Sequence, residues 1–143
     1  MQIGVETSRA VDSKRIFVVD DDGITRAVLQ FMLQDDNETH DLPSLTDAYG
    51  KGRPDLLLLG VSVVKNGPPD LLTALSRRWP GIRIVIVANA KQEDVARSFL
   101  RSGAHGVLTG PFTVESVRQK VDIQLGRVVP SLIQLQILPK VAR

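Results

Sequence analysis

Hydrophobic positions along the chain fall into short apolar runs that alternate with amphipathic stretches. "RIFVV" (15–19) is β-branched and aromatic and stops at Asp20, Asp21 and Asp22, which predicts a strand. From there apolar residues recur at Ile24, Ala27, Val28, Phe31 and Met32, a spacing that predicts a helix over 23–34 with that stripe packed on a sheet. "THDL" predicts a second strand. In "PSLTDAYG", Ser44 and Asp47 have capping-box spacing and open a helix that Gly50 and Gly52 cut short. "DLLLL" (55–59) predicts a third strand, and Pro68 and Pro69 suit the first turn of a helix that buries Leu71, Leu72 and Leu75 before Pro80 and Gly81 end it. "IRIVIVA" (82–88) is almost continuous in Ile and Val, as in a strand covered on both faces. A helix over 91–102, with Val95, Ala96, Phe99 and Leu100 inward, closes at Gly103. "GVL" (106–108), a turn at "TGPF" and a helix over 113–126 with Val114, Val117 and Val121 inward complete the pattern. Five strands alternating with five helices predict an α/β fold with one parallel sheet and helices on both faces.

Composition narrows the picture. A chain of 143 residues, 43% hydrophobic, supports one core, so the expected organisation is a polar leader (1–13), one domain (14–126) and a tail (127–143). The tail, "RVVPSLIQLQILPKVAR", suits a short amphipathic segment that folds back, meets a partner or begins a linker. The net charge of +2 is small and the charges are interleaved, which argues against direct nucleic-acid binding. The lack of cysteine excludes disulfides, thiolate catalysis and cysteine metal sites. The chain has neither an apolar run of signal-peptide length nor one approaching a membrane span, so a cytoplasmic protein without membrane contact is expected.

The candidate chemistry lies at the strand ends, because ligands of open α/β sheets gather at their carboxyl edge. There "VVDDD", "PDLLLLG", "IVIVAN" and "SGAHGVLTGPF", in this order and spacing, resemble the receiver domain of bacterial two-component response regulators. The resemblance covers about residues 14–126. It implies a CheY-like, flavodoxin-like (βα)5 fold, doubly wound, with a five-stranded sheet in the order 2-1-3-4-5. In such receivers an aspartate at the tip of strand three accepts a phosphoryl group from a kinase phosphohistidine. Two acids after strand one hold Mg2+, a Thr or Ser ends strand four, and a Lys precedes the proline after strand five. A carboxylate serves as nucleophile while the metal and the lysine offset charge developing on the phosphoryl oxygens.

By position, the resemblance places the acidic pair on Asp20 and Asp21, the phosphoacceptor on Gly60, the hydroxyl on Ala88 and the lysine on Gly110. The strand-five aromatic falls on Val107, and Pro111 is kept, which implies a cis Gly110–Pro111 bond. No nearby group substitutes for the missing carboxylate. Asp55 is five residues upstream, ~16 Å away at ~3.3 Å per residue and at the opposite pole of the strand. Asp70 belongs to the start of the next helix, where it complements the helix dipole. Ser62 lacks a base to activate it. A weak residual Mg2+ site built from Asp20, Asp21 and Ser62 is weighed against plain solvated acids, with Lys65 or Lys91 as candidate neutralising cations.

The expectation is therefore a non-enzymatic pseudo-receiver without a cofactor, acting through contact with a signalling protein or as a homodimer. Its first candidate surface is the last two helices and strand five: Arg97, Arg101, Val107, Glu115, Arg118 and Asp122. The alternative is a small-molecule or anion sensor using the space vacated at Gly60, Ala88 and Gly110. A phosphotransfer protein with an unconventional acceptor ranks third. His40 and His105 are read as structural, and Trp79 as closing the apolar end of a helix.

Overall fold

The computed structural model describes residues 14–127. The leader, and the tail from residue 128 onward, lie outside the described residues. Five parallel strands, β1 (Arg15–Val19), β2 (Glu38–Leu42), β3 (Leu56–Gly60), β4 (Arg83–Ala88) and β5 (Gly106–Thr109), form one sheet in the order β2-β1-β3-β4-β5. Six α-helices surround it: α1 (Gly23–Leu33), α2 (Leu45–Tyr49), α3 (Val61–Lys65), α4 (Leu71–Arg78), α5 (Glu93–Ser98) and α6 (Val114–Gln124). Short 3-10 turns flank α5 at Ala90–Gln92 and Phe99–Ser102. The class and strand order match the expectation from sequence.

Strand residues alternate between two cores, as the two-residue period of a strand requires. Phe17, Val19, Leu57, Leu59, Ile84 and Ile86 face α2 to α5, whereas Ile16, Val18, Leu56, Leu58, Val85 and Val87 face α1 and α6. Every residue from Leu56 to Leu59 is fully buried, which accounts for the unbroken leucine run. Trp79 stands at the C-terminal end of α4, edge-on to Phe17 with ring centroids 6.2 Å apart and tilted against Tyr49 at 5.8 Å.

Several local expectations need correction. In α1 the buried residues are Leu29 and Leu33, with Met32 packed partly beside them. Ile24 and Phe31, expected inward, are 77% and 71% exposed, and Ala27 and Val28 are also on the solvent side. The period was right and the phase was not, because α1 carries apolar residues on both faces. The same holds on a smaller scale for Val95, Leu100 and Val114, which are exposed while Ala96, Val117 and Val121 are buried. An additional helix, α3, follows β3 directly, and α4 starts at Leu71, so Pro68 and Pro69 precede it in a turn. The stunted second helix is observed, with Ser44 accepting from the Asp47 N–H at 3.4 Å.

Candidate functional site

The carboxyl ends of β1, β3, β4 and β5 open into a cleft of about 360 Å3. Asp20, Asp21, Asp22, Ser62, Ala88, Asn89, Gln92, Gly110, Pro111 and Phe112 are among the residues that line it. The predicted positions are thus brought together: Ala88, which closes β4, and Gly110 line the cleft, and Gly60, which closes β3, lies behind the Asp20 carboxyl. The Gly110–Pro111 bond is cis, as expected.

The three consecutive aspartates have different roles. Asp22 caps α1: its Oδ1 accepts from the Ile24 N–H at 3.0 Å, and its Oδ2 accepts from the Thr25 hydroxyl at 2.8 Å. The Thr25 hydroxyl first, and then the Ile24 N–H, hold its carboxyl below the usual range. Asp21 is exposed, and its Oδ1 accepts from the Ser62 hydroxyl at 2.8 Å. Asp20 is turned inward and is only 7% exposed.

The space that Asp20 occupies is the space left by Gly60. A Cβ built on Gly60 would lie 2.6 Å from Asp20 Cγ and Oδ2 and 2.9 Å from Oδ1, closer than unbonded atoms approach. The backbone at Gly60, with φ −60° and ψ 139°, is ordinary extended chain open to any residue. A Cβ at position 60 therefore requires the Asp20 carboxyl to turn aside, while the backbone itself is no obstacle. Burial pushes the Asp20 carboxyl up to about 6; the Asp22 N–H, which donates to Oδ1 at 2.9 Å, opposes the rise, while Asp21 and Asp22 add to it.

The cations expected here are elsewhere. Among the described residues no lysine or arginine lines the cleft, and neither Lys65 nor Lys91 forms an ion pair. Instead Arg26 of α1 donates through one terminal nitrogen to the Asp20 carbonyl at 2.7 Å, and its Nε is buried without a hydrogen-bond partner. Sequence reading missed Arg26, although its place four residues after the Asp22 cap puts it one turn up the helix on the strand side. The donor set does not fit a Mg2+ centre. One carboxyl is folded over Gly60, the second is held by Ser62 and the third caps a helix, and no group of three metal-ligating side chains converges among the described residues.

The predicted interaction residues divide into two groups. Arg97 pairs with Glu93 at 3.1 Å on α5, Arg101 and Glu115 are exposed, and Val107 is half-buried against the core. Arg118 turns the other way: its Nε donates to the Met32 carbonyl at 3.2 Å, and it lies 3.6 Å from Asp35. Asp122 pairs with Arg127 at 3.1 Å. These two brace α6 against the end of α1 and stand apart from Arg97 and Arg101. His105 is structural, since its Nδ1 accepts from the Ile84 N–H at 2.9 Å; burial first, and then the Arg83 charge, lower its pKa. His40 bonds Glu38 at 2.8 Å, on the sheet edge.

Comparison with known proteins agrees with this architecture. The chemotaxis protein CheY of Halobacterium salinarum is 22% identical over 113 residues, covering 76% of this chain and 94% of that protein. Among solved structures, NtrX from Brucella abortus superposes with a TM-score of 0.71 at 21% identity, over 87% of this chain but only 29% of the NtrX chain. The N-terminal signal receiver domain of a Bacteroides fragilis response regulator gives 0.69 at 18% identity, over 80% of this chain and 98% of that domain. No described helix is long and apolar enough to cross a membrane. The family model for the response regulator receiver domain matches residues 16–122, and the chain belongs to that family.

Proposed function

We propose that this chain is a receiver that has given up phosphoryl transfer and acts as a non-enzymatic protein-interaction module. The observation that carries this reading is the Asp20 carboxyl lying where any side chain at Gly60 would project. A receiver needs a carboxylate nucleophile at the strand-three tip, free acids for a metal and a cation for the phosphoryl oxygens. Here the tip is glycine, the acids are committed to other partners, and the positions for hydroxyl and cation are Ala88 and Gly110. Asp20 itself is a poor substitute nucleophile, because its carboxyl is buried in the gap at Gly60 and no cation lines the cleft to stabilise a phosphoryl group.

Signalling then passes through a surface. The exposed parts of α5, β5 and the start of α6, with Arg97, Arg101, Val107 and Glu115, remain the candidate contact for a signalling partner or a second copy. Of the small-molecule or anion sensor alternative, the anionic form is disfavoured, since an anion entering the cleft meets Asp20, Asp21 and Asp22. Incubation with acetyl phosphate and Mg2+, followed by intact mass measurement, is expected to show no phosphoryl adduct. A stoichiometric adduct overturns the reading.

A further inference from the structure

Charges that alternate along the sequence are sorted in space. "YGKGRP" (49–54) and "RRWPG" (77–81) lie side by side where the chain enters β3 and β4, and they are cross-linked in both directions. Arg78 donates to the Tyr49 carbonyl at 3.3 Å, and Arg53 donates to the Pro80 carbonyl. Together the two stretches carry Lys51, Arg53, Arg77 and Arg78, all exposed, and no acid. Asp47 and Asp55, which flank Lys51 and Arg53 in sequence, are engaged elsewhere: Asp47 accepts from the Ser44 hydroxyl at 3.1 Å and Asp55 from the Arg15 N–H at 2.8 Å. None of the four cations forms an ion pair among the described residues.

Two of these guanidiniums are ordered and still fully charged. Arg53 and Arg78 are held by carbonyl oxygens, and Arg78 also lies over the Tyr49 ring, 4.3 Å from its centroid. A carbonyl fixes a guanidinium without neutralising it, so side-chain freedom is given up before a partner arrives and most of the N–H donors stay free. The dipole of α4 accounts for Arg77 and Arg78 in its last turn, but Lys51 and Arg53 lie outside any helix. The neighbours of the cations indicate the class of partner. Protein interfaces centre on an apolar core depleted in charge, whereas the exposed residues among these cations are Tyr49, Gly50, Gly52, Pro80 and Gly81, which offer no such core. Nucleic-acid interfaces are polar and strongly basic, and the planar fork of arginine matches a phosphate bidentately.

We propose that this rim binds the sugar-phosphate backbone of a nucleic acid, without reading its sequence, through Lys51, Arg53, Arg77 and Arg78. The small net charge, which argued against such a partner, is a sum over two poles, since the three aspartates of the cleft stand at the opposite ends of the strands. The face is separate from α5, β5 and the start of α6, so the inference stands apart from the protein-contact reading.

Fluorescence anisotropy of a short labelled DNA duplex of mixed sequence, titrated with the full chain, tests this. A Kd on the order of 10 μM is expected in ~0.1 M salt, with log K falling against log salt at a slope of about −3, as for about three neutralised phosphates. The side chains of Lys51 and Arg77 form no hydrogen bond or ion pair among the described residues. Lys51→Glu combined with Arg77→Glu is therefore expected to weaken binding about tenfold with an unchanged far-UV circular dichroism spectrum. Lys65→Glu combined with Lys91→Glu makes the same change in charge on the cleft rim and is expected to weaken it by about threefold at most. Three results overturn the proposal: no binding in that salt; equal weakening by the two double variants; or competition by poly-L-glutamate as effective, charge for charge, as by unlabelled duplex, which assigns the rim to an acidic protein.

Discussion

The two rims of the sheet both carry carboxylates, and they treat them in opposite ways. At the amino-terminal rim Asp55 accepts from the Arg15 N–H at 2.8 Å. The Arg15 side chain bonds Glu38 at 2.8 Å and the carbonyls of Lys51 and Arg53. His40 first, and then Arg15, hold the Glu38 carboxyl below its ordinary value. At the carboxyl-terminal rim Asp20 is buried without an ion pair, and its pKa rises to about 6. One rim is arranged for stability. The other keeps a costly charge at the strand ends that line the cleft.

The largest test of this contrast is Gly60→Asp. It forces a second carboxyl against Asp20, and a loss of about 3 kcal/mol in urea denaturation is expected, in the range of overpacking combined with like-charge repulsion. Gly60→Ala, with the same Cβ and no charge, is expected to cost about half as much. A Gly60→Asp protein as stable as the parent would break the steric account.

Asp20→Asn is the next largest, and its sign is reversed. The folded pKa of Asp20 lies above its unfolded value, so its contribution is full below the unfolded pKa near 3.8 and is lost as pH rises through about 6. Removing the charge is expected to stabilise the protein by about 2 kcal/mol at pH 7.5, to have little effect at pH 3.5, and to flatten the stability profile between pH 4 and 6. Denaturation midpoints measured across that window decide it.

At the other rim Arg15→Met removes the side-chain bonds to Glu38, Lys51 and Arg53, and a loss of about 1 kcal/mol is expected. Glu38→Gln has the smallest effect, a slight fall in melting temperature. Its lowered pKa supplies stability above the unfolded value near 4.5 that disappears as pH falls, the opposite slope to Asp20.

Much of this was legible in the sequence, for identifiable reasons. Strand positions follow from the runs 15–19, 56–59 and 83–88, because burial on both faces leaves an unmistakable apolar block. The cluster of Asp20, Gly60, Ala88 and Gly110 follows from where those strands end. What the pattern could not supply was phase and side-chain direction. In α1 the outward Ile24, Ala27, Val28 and Phe31 recur with the same period as an inward stripe would, and nothing in the spacing distinguishes it from Leu29 and Leu33. Nor does spacing show that Asp20 leans into the gap at Gly60, since that contact joins residues forty positions apart. The splitting of Arg118 and Asp122 from Arg97 and Arg101 was hidden for the same reason: their bonds reach α1 and the turn after α6.

The ordinary backbone of Gly60 also constrains how such a sequence can change over time. Because the backbone there accepts any residue while a Cβ would meet the Asp20 carboxyl, a larger side chain at position 60 requires that carboxyl to turn aside or to be replaced by a smaller group. Substitutions at residues 20 and 60 are therefore expected to be non-additive, with a smaller side chain at position 20 easing the entry of a larger one at position 60.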